Sequence, residues 1–154
     1  MNELPIHPAL VHVPLGIAVV LPVLSGALLI ALWREWLPKR AWLLTLILSV
    51  VGFASAIAAR QTGVTEEARV EEWVEGPPIH AHEEAADTFV VTFGVLTLAC
   101  AGVCVIKRPR FFKLAVLVVT LGYGVLLGLG LNVGRLGGEL VYKHGAASSR
   151  GARD

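Results

Sequence analysis

The sequence predicts an all-α integral membrane protein, an up-and-down bundle of four transmembrane helices. Of its 154 residues, 55% are hydrophobic and only 16% are charged, and the mean hydropathy is +0.70. Four apolar runs are each long enough to cross a hydrocarbon core of ~30 Å, which takes roughly 20 helical residues. Backbone groups in lipid must be hydrogen-bonded within the protein, so these runs are predicted to be helices.

The chain forms one membrane domain, residues 1–154, whose parts follow from the apolar runs. The predicted helices lie at about 8–32, 41–59, 79–106 and 111–143, with an acidic loop at 60–78 and a flexible tail at 145–154. Short connections make consecutive helices antiparallel neighbours. The first run is too long for the apolar region of a cleavable signal peptide, and no basic side chain precedes it, so we expect a retained span. Aromatic side chains mark several span ends, as an interfacial belt would: Trp33, Trp36, Trp42, Phe111 and Phe112.

The distribution of basic residues predicts the orientation. The first and third connections together carry seven of the thirteen Lys and Arg residues: Arg34, Lys39, Arg40, Lys107, Arg108, Arg110 and Lys113. The stretch 60–84, between these connections, has two basic residues and seven glutamates. Because Lys and Arg favour the cytoplasmic side, both short connections should face the cytoplasm. We therefore expect a multi-pass protein of the bacterial cytoplasmic (inner) membrane, with both termini and the acidic loop outward.

Part of the acidic loop is predicted to be helical. Thr65 is suited to cap a helix N-terminus, and two glutamates follow in the first turn, where the helix dipole favours carboxylates. Apolar residues at near-helical spacing indicate a short interfacial helix over Thr65 to Val74. Gly76-Pro77-Pro78 should end that helix, so the third span is expected to begin near Ile79.

The histidines are the main functional signal. With the orientation above, all five lie at the outward side of the membrane: His7, His12, His80, His82 and His144. An ionisable side chain at the edge of a span is costly unless it has a partner, so it indicates a functional site. The structural alternative is a histidine that caps a helix or reaches the interface. We favour that role for His7, His80 and His144.

Helical spacing narrows the choice to one pair. The face below His12 carries Gly16, Val19, Val23 and Gly26, and the face below His82 carries Ala86, Phe89, Phe93 and Cys100. Both faces are free of charge, whereas the turn after His80 carries Glu83, Glu84 and Asp87. We therefore expect His12 and His82 to share one outward site, with His80 pointing away from the bundle.

Three functions compete for this pair. In the first, His12 and His82 are the axial ligands of haem b, Gly16 leaves room for the macrocycle, and Arg60 or Arg135 meets its propionates. Such a haem would exchange electrons with an extracytoplasmic redox partner or a quinol. In the second, the same pair binds a transition metal, joined by His7 or His80, and imidazole suits several metals. In the third, the protein is a non-catalytic structural or accessory subunit.

The fourth predicted helix is rich in glycine at spacings of four, which permits close helix contact: Gly122, Gly124, Gly128, Gly130, Gly134, Gly137 and Gly138. We expect close contact along Gly130, Gly134 and Gly138, and the same spacing would suit a homodimer seam or space beside a cofactor. Cys100 and Cys104 are interpreted as packing residues.

Several classes of function are not indicated. The sequence has no motif of a hydrolase, an NTPase or a covalently bound c-type haem. It also has no basic stripe with interleaved aromatic residues, which argues against a nucleic-acid partner. The predicted protein is therefore not a hydrolytic enzyme, and if it is redox-active it is an electron-transfer protein.

Four stretches resemble a family of small bacterial membrane proteins that is catalogued as a domain of unknown function. They are His7-Pro8-Ala9-Leu10-Val11-His12-Val13-Pro14-Leu15-Gly16 at the opening, Ala59-Arg60-Gln61-Thr62-Gly63 after the second helix, His82-Glu83-Glu84-Ala85 at the start of the third, and Gly137-Gly138-Glu139-Leu140-Val141-Tyr142-Lys143-His144-Gly145 at the close of the fourth. The resemblance covers nearly the whole chain. It implies a four-helix inner-membrane protein and brings no established activity.

Overall fold

The computed structural model describes residues 6–70, 74 and 76–146, with only the backbone described over 66–70. These residues form helices and turns, and no strand occurs among them. The helices are α1 (His7–Leu10), α2 (His12–Trp33), α3 (Leu43–Val70), α4 (Gly76–Cys104) and α5 (Pro109–Tyr142), and a 3-10 turn, Lys39–Trp42, precedes α3. The predicted all-α class is confirmed.

Four helical segments are long and apolar enough to cross a membrane: His7–Trp33, Lys39–Thr65, Gly76–Cys104 and Pro109–Tyr142. Each of the four long helices packs against its two neighbours in the ring α2, α3, α4, α5. The described chain is therefore the predicted four-helix bundle. Its two ends are called below the histidine end, where α1, α3 and α5 meet the start of α4, and the basic end, which carries the two short connections.

Prolines mark the helix starts. Pro8 is in the first turn of α1, Pro14 is in the first turn of α2, and α5 begins at Pro109. Proline is tolerated at these positions because the first N–H groups of a helix have no partner within it. The same reason explains a correction to the predicted start of the third span. Helix α4 begins at Gly76 rather than near Ile79, and Pro77 and Pro78 lie in its first turn.

The second span is longer than predicted. Helix α3 continues without interruption to Val70, past the expected end at residue 59. Thr65 is not an N-cap: its hydroxyl donates to the carbonyl of Gln61 inside α3 at 3.1 Å. The acidic sequence predicts a new helix start, whereas α3 continues through it, because a helix that extends beyond the lipid can carry charged residues into water. The predicted interfacial helix is thus partly the end of α3, and its residues 71–73 lie outside the described chain.

The buried side of α2 differs from the predicted one. Its buried positions are Pro14, Ala18, Leu21, Ser25, Leu28 and Leu32. Val19 is 50% exposed and Val23 is 71% exposed, so the face that includes His12 points to the surroundings of the bundle. Because α2 is apolar on every side, its sequence carried no signal of which side packs.

The centre of the bundle contains a buried polar group, here called the hydroxyl cluster: Ser49, Thr97 and Tyr123. The Tyr123 hydroxyl donates to Ser49 Oγ at 3.1 Å, and Ser49 Oγ lies 2.8 Å from Thr97 Oγ1. The Thr97 hydroxyl donates to the carbonyl of Phe93 at 2.9 Å. The three hydroxyls therefore form a chain of donors that ends on a backbone acceptor, which satisfies them in a region without water.

Glycine contacts occur at only part of the predicted face of α5. A Cβ at Gly130 would lie 3.2 Å from Phe89 Cε2 and 3.3 Å from Leu15 Cδ2, and one at Gly134 would lie 3.9 Å from Leu15. A Cβ at Gly138 would meet nothing within 4 Å. The predicted contact thus holds at Gly130 and more loosely at Gly134, and the homodimer seam stays a prediction.

Candidate functional site

His7 connects the N-terminal turn to the end of α3. Its Nδ1 lies 2.9 Å from the carbonyl oxygen of Ala59 and 3.1 Å from Thr62 Oγ1. The Thr62 hydroxyl gives its own hydrogen to that same carbonyl at 2.8 Å. Both neighbours of Nδ1 therefore accept, which requires a proton on Nδ1. In the neutral form of the ring, Nε2 then carries the lone pair.

A glycine provides the surface on which the His7 ring lies. A Cβ at Gly63 would be 3.1 Å from His7 Cε1, closer than most side-chain contacts. Gly63 follows Thr62 directly, so one turn of α3 supplies both the hydrogen-bond partner and the space. Three residues of the stretch Ala59-Arg60-Gln61-Thr62-Gly63 thus contact the His7 ring.

His82 is seated in a similar way on α5. A Cβ at Gly137 would lie 3.1 Å from His82 Cε1. His82 Nδ1 is buried and has no hydrogen-bond partner among the described residues, although the backbone of Val133 lies beside the ring. The two side chains below it on α4, Phe89 and Phe93, are 4% and 0% exposed, so this face points into the bundle as the sequence predicts.

The two seated rings belong to one end of the bundle. The His7 ring lies against Gly63 of α3, and the His82 ring lies against Gly137 of α5. Nearby, the Arg60 guanidinium of α3 forms a bidentate ion pair with the Asp87 carboxylate of α4. The bond from Arg60 Nη2 to Asp87 Oδ2 is 2.9 Å long. This ion pair links α3, which contacts His7, to α4, which carries His82.

The other predicted site residues lie apart from this pair. His12 is exposed and makes no hydrogen bond or ion pair with any described residue, and a Cβ at Gly16 would meet nothing within 4 Å. His80 has a side chain that is 68% exposed and lies 3.8 Å from Glu83. His144 is exposed beyond α5. The structure therefore turns His12 away from the interior of the bundle, because the His12 face of α2 does not point inward.

The two predicted arginines also have protein partners. Arg60 bonds Asp87, as above. Arg135 donates to Glu139 at 2.9 Å and to Asn132 at 3.0 Å, all on α5. Neither arginine is directed at a space beside His12.

One apolar cavity opens between α2 and α5, below the histidine end. Its volume is about 340 Å³, and its lining is Leu15, Ala18, Val19, Leu127, Gly130, Leu131, Gly134 and Arg135. No histidine lines it. Across the described ranges, no three His, Cys, Asp or Glu side chains lie together in a way that could hold a metal ion.

Comparison with known proteins agrees with this architecture. The family model described as "Predicted membrane protein (DUF2231)" matches residues 3–150. The chain belongs to this family. The match spans all four helices and both seated histidines, and the family description gives no activity. No curated protein and no solved structure matches the chain.

The sequence favours a structural role for His7 and does not single out its hydrogen-bond partners. Thr62, Gly63 and Gly137 were not proposed as site residues, although two of the family-like stretches contain them. The available signal is that these stretches lie late in two helices, at the level where His7 and His82 lie early in two others. A histidine and a small residue at the same depth on adjacent helices indicate a ring packed on a glycine.

Proposed function

We propose that this protein binds a single first-row transition-metal ion at the histidine end, with His7 and His82 as imidazole ligands. The observation that carries the proposal is the hydrogen bonding of His7. Its Nδ1–H is held by Ala59 and Thr62, so Nε2 presents a lone pair. Metal-binding histidines typically have their second ring nitrogen held by a carbonyl or a similar acceptor, which fixes the tautomer and the ring orientation.

The second ligand is supported by the state of His82. A buried ring nitrogen without a partner costs free energy, and binding an ion or another donor would recover it. Because both rings lie at the histidine end, the proposal assigns them one shared ion rather than two separate ones. With two protein ligands, the ion would keep positions for water or a small ligand, as catalytic and transfer sites do.

Haem b is the other cofactor considered for these histidines. The described geometry favours a single ion, because both rings already lie against glycines and the cavity below them is lined by no histidine. The imidazole-bearing residues for haem would also have to be His7 and His82 rather than His12 and His82. Electron transfer with an extracytoplasmic partner belongs to this alternative.

The histidine end is proposed to face outward from the cytoplasm. This rests on the seven basic residues in the two connections at the other end and on the preference of Lys and Arg for the cytoplasmic side. Reporter fusions test this orientation. A reporter that is active only outside the cytoplasm should be active when fused at Gly76 and inactive when fused at Lys39 or Arg110. The ion would then be taken from the extracytoplasmic side.

The deciding experiment measures metal content. Detergent-purified protein is stripped with a chelator, loaded separately with Zn²⁺, Co²⁺, Ni²⁺ or Cu²⁺, desalted and analysed for bound metal. We expect about one equivalent of at least one metal, because two fixed imidazoles bind such ions. The variants His7→Ala and His82→Ala should each lose it.

Matched controls come from the same end of the molecule. His12→Ala and His80→Ala each remove an exposed histidine and should keep the metal. Equal loss in these controls, or absence of histidine-dependent metal in the wild type, would contradict the proposal. A Soret band in protein made with ample haem, lost in His7→Ala and His82→Ala, would instead favour the haem alternative.

A further inference from the structure

A second concave surface lies at the basic end, on the opposite side of the membrane from the histidines. This basic groove is open, has a volume of about 700 Å³ and runs between the end of α2 and the start of α5. Its lining consists of Trp33, Pro109, Arg110, Lys113, Leu114 and Leu117. None of these residues takes part in the proposed metal site.

The charge around the groove is strongly one-sided. The connections 34–40 and 107–113 contain seven basic residues and one acidic residue, Glu35. Lys39 is occupied, since it donates to the Lys107 carbonyl at 2.9 Å and lies 5.0 Å from the centre of the Phe112 ring. Arg110 makes no hydrogen bond or ion pair with any described residue. A guanidinium is therefore available in the groove, and it favours an anionic ligand.

The lining of the groove changes from basic to apolar along α5. Arg110 and Lys113 are in the first turns of α5, and Leu114 and Leu117 follow toward the centre of the bundle. Leu114 is 55% exposed and Trp33 is 49% exposed, so the apolar part is accessible from the lipid. A ligand that fits both parts has an anionic group at the interface and a hydrocarbon chain below it.

We propose that the basic groove binds an anionic phospholipid. Its phosphate lies between Arg110 and Lys113, and one acyl chain lies along Leu114 and Leu117. Free phosphate would use the two charges and leave the apolar wall uncovered. A basic pocket between transmembrane helices at the cytoplasmic surface is suited to anionic head groups, and each nearby Lys or Arg adds to the attraction.

The ion pair between Lys113 and Glu35 provides a test of the proposed phosphate contact. Lys113 Nζ is 3.5 Å from Glu35 Oε1, and the Glu35 side chain is 83% exposed. This long, exposed ion pair is weak. The glutamate therefore competes with the lipid phosphate for Lys113, and its removal should strengthen lipid binding.

The experiment compares lipid retention by native mass spectrometry. Protein in nanodiscs that contain equal amounts of phosphatidylglycerol and phosphatidylcholine, with identical acyl chains, is released and its bound lipids are counted. Wild-type protein should retain phosphatidylglycerol preferentially. The double variant R110Q/K113Q should lower that preference roughly tenfold or more, since two phosphate contacts are lost. Glu35→Gln should raise it.

The matched control is K107Q/R108Q, which removes the same charge from the same end but spares the groove lining. It should keep most of the preference. If both double variants lose it equally, general surface charge explains the retention and the groove proposal is overturned. Equal retention of the two lipids by the wild type overturns it as well.

A further variant, Leu117→Trp, tests the proposal even if R110Q/K113Q does not fold. Leu117→Trp leaves every charge in place and fills the apolar part of the groove. It should also reduce phosphatidylglycerol retention, while monodispersity in gel filtration confirms folding. Unchanged retention in Leu117→Trp, or a protein dimer that excludes lipid from this face, would contradict the proposal. Failure here leaves the metal measurement at the histidine end unaffected.

Discussion

The hydroxyl cluster and the histidine end are both polar regions of an apolar bundle, and they differ in how their polar atoms are satisfied. In the hydroxyl cluster, Tyr123, Ser49 and Thr97 pass donors along a chain that ends on a carbonyl. At the histidine end, His82 Nδ1 is buried and has no hydrogen-bond partner within the described part of the chain, and His7 Nε2 makes no hydrogen bond there either. A closed network needs nothing further, whereas an open one has capacity for a ligand.

This difference separates a structural from a functional use of polarity. Hydroxyls have no titratable charge near neutral pH, and when each has a partner they act as interhelical contacts. Imidazoles bind protons and metals, and here their remaining capacity is directed to one end of the bundle. Substitutions in the two regions should therefore change different measurements.

The largest effect on binding in this comparison is expected for Thr62→Val. The substitution removes one of the two acceptors that hold His7 Nδ1–H and keeps the shape of the side chain. Loss of such a supporting contact typically lowers metal affinity about 10- to 100-fold. Titration with the metal identified in the loading experiment measures the change. The control is Thr65→Val, whose hydroxyl bonds Gln61 one turn away; an equal loss there would show that the effect is not specific to His7.

A smaller effect is expected for Gly137→Ala. The new Cβ would lie 3.1 Å from His82 Cε1, so the ring has to shift by a few tenths of an ångström. We expect metal affinity to fall by roughly tenfold, the lower end of the range for a disturbed ligand. Gly138→Ala is the neighbouring control, because its Cβ would meet nothing within 4 Å. Equal metal affinities in Gly137→Ala and Gly138→Ala would contradict the assignment of His82 as a ligand.

The smallest effect is expected for Tyr123→Phe, in the hydroxyl cluster. It deletes the donor to Ser49 and leaves the aromatic packing in place. Interhelical hydrogen bonds of this kind contribute about 0.6 kcal/mol on average and at most about 1.7 kcal/mol. Unfolding in mixed micelles should show a loss in this range, with metal affinity unchanged. A change in metal affinity would mean that the two regions are coupled, and the distinction between them would fail.

The fold was predictable because its main signal is chemical composition over long windows. Four apolar runs with charged connections predict four spans whatever the details of packing. The ends were less predictable, since α3 continues to Val70 as a helix through residues that also suit a helix start. Gly76 and the two prolines after it begin a helix rather than end one, because a first turn tolerates proline.

The site was predictable only in part. The inward face of His82 could be recognised because Phe89, Phe93 and Cys100 are bulky or packing residues and the opposite face is charged. The same reasoning failed for His12, because α2 has no polar side to contrast with. The partners of His7 lie 52 and 55 residues away along the chain, and no local pattern indicates such pairs.

The seating of each histidine on a glycine also bears on how the protein is made. His7 rests on a glycine of the second span, and His82 rests on a glycine of the fourth. Each successive hairpin of the chain thus contains both partners of one of these contacts, so the first contact needs no residue of the second hairpin. Arg60 and Asp87 then join the two hairpins. If the proposed ion is shared by both histidines, it binds only after this joining, so metal occupancy would distinguish fully assembled chains from chains that have inserted only their first hairpin.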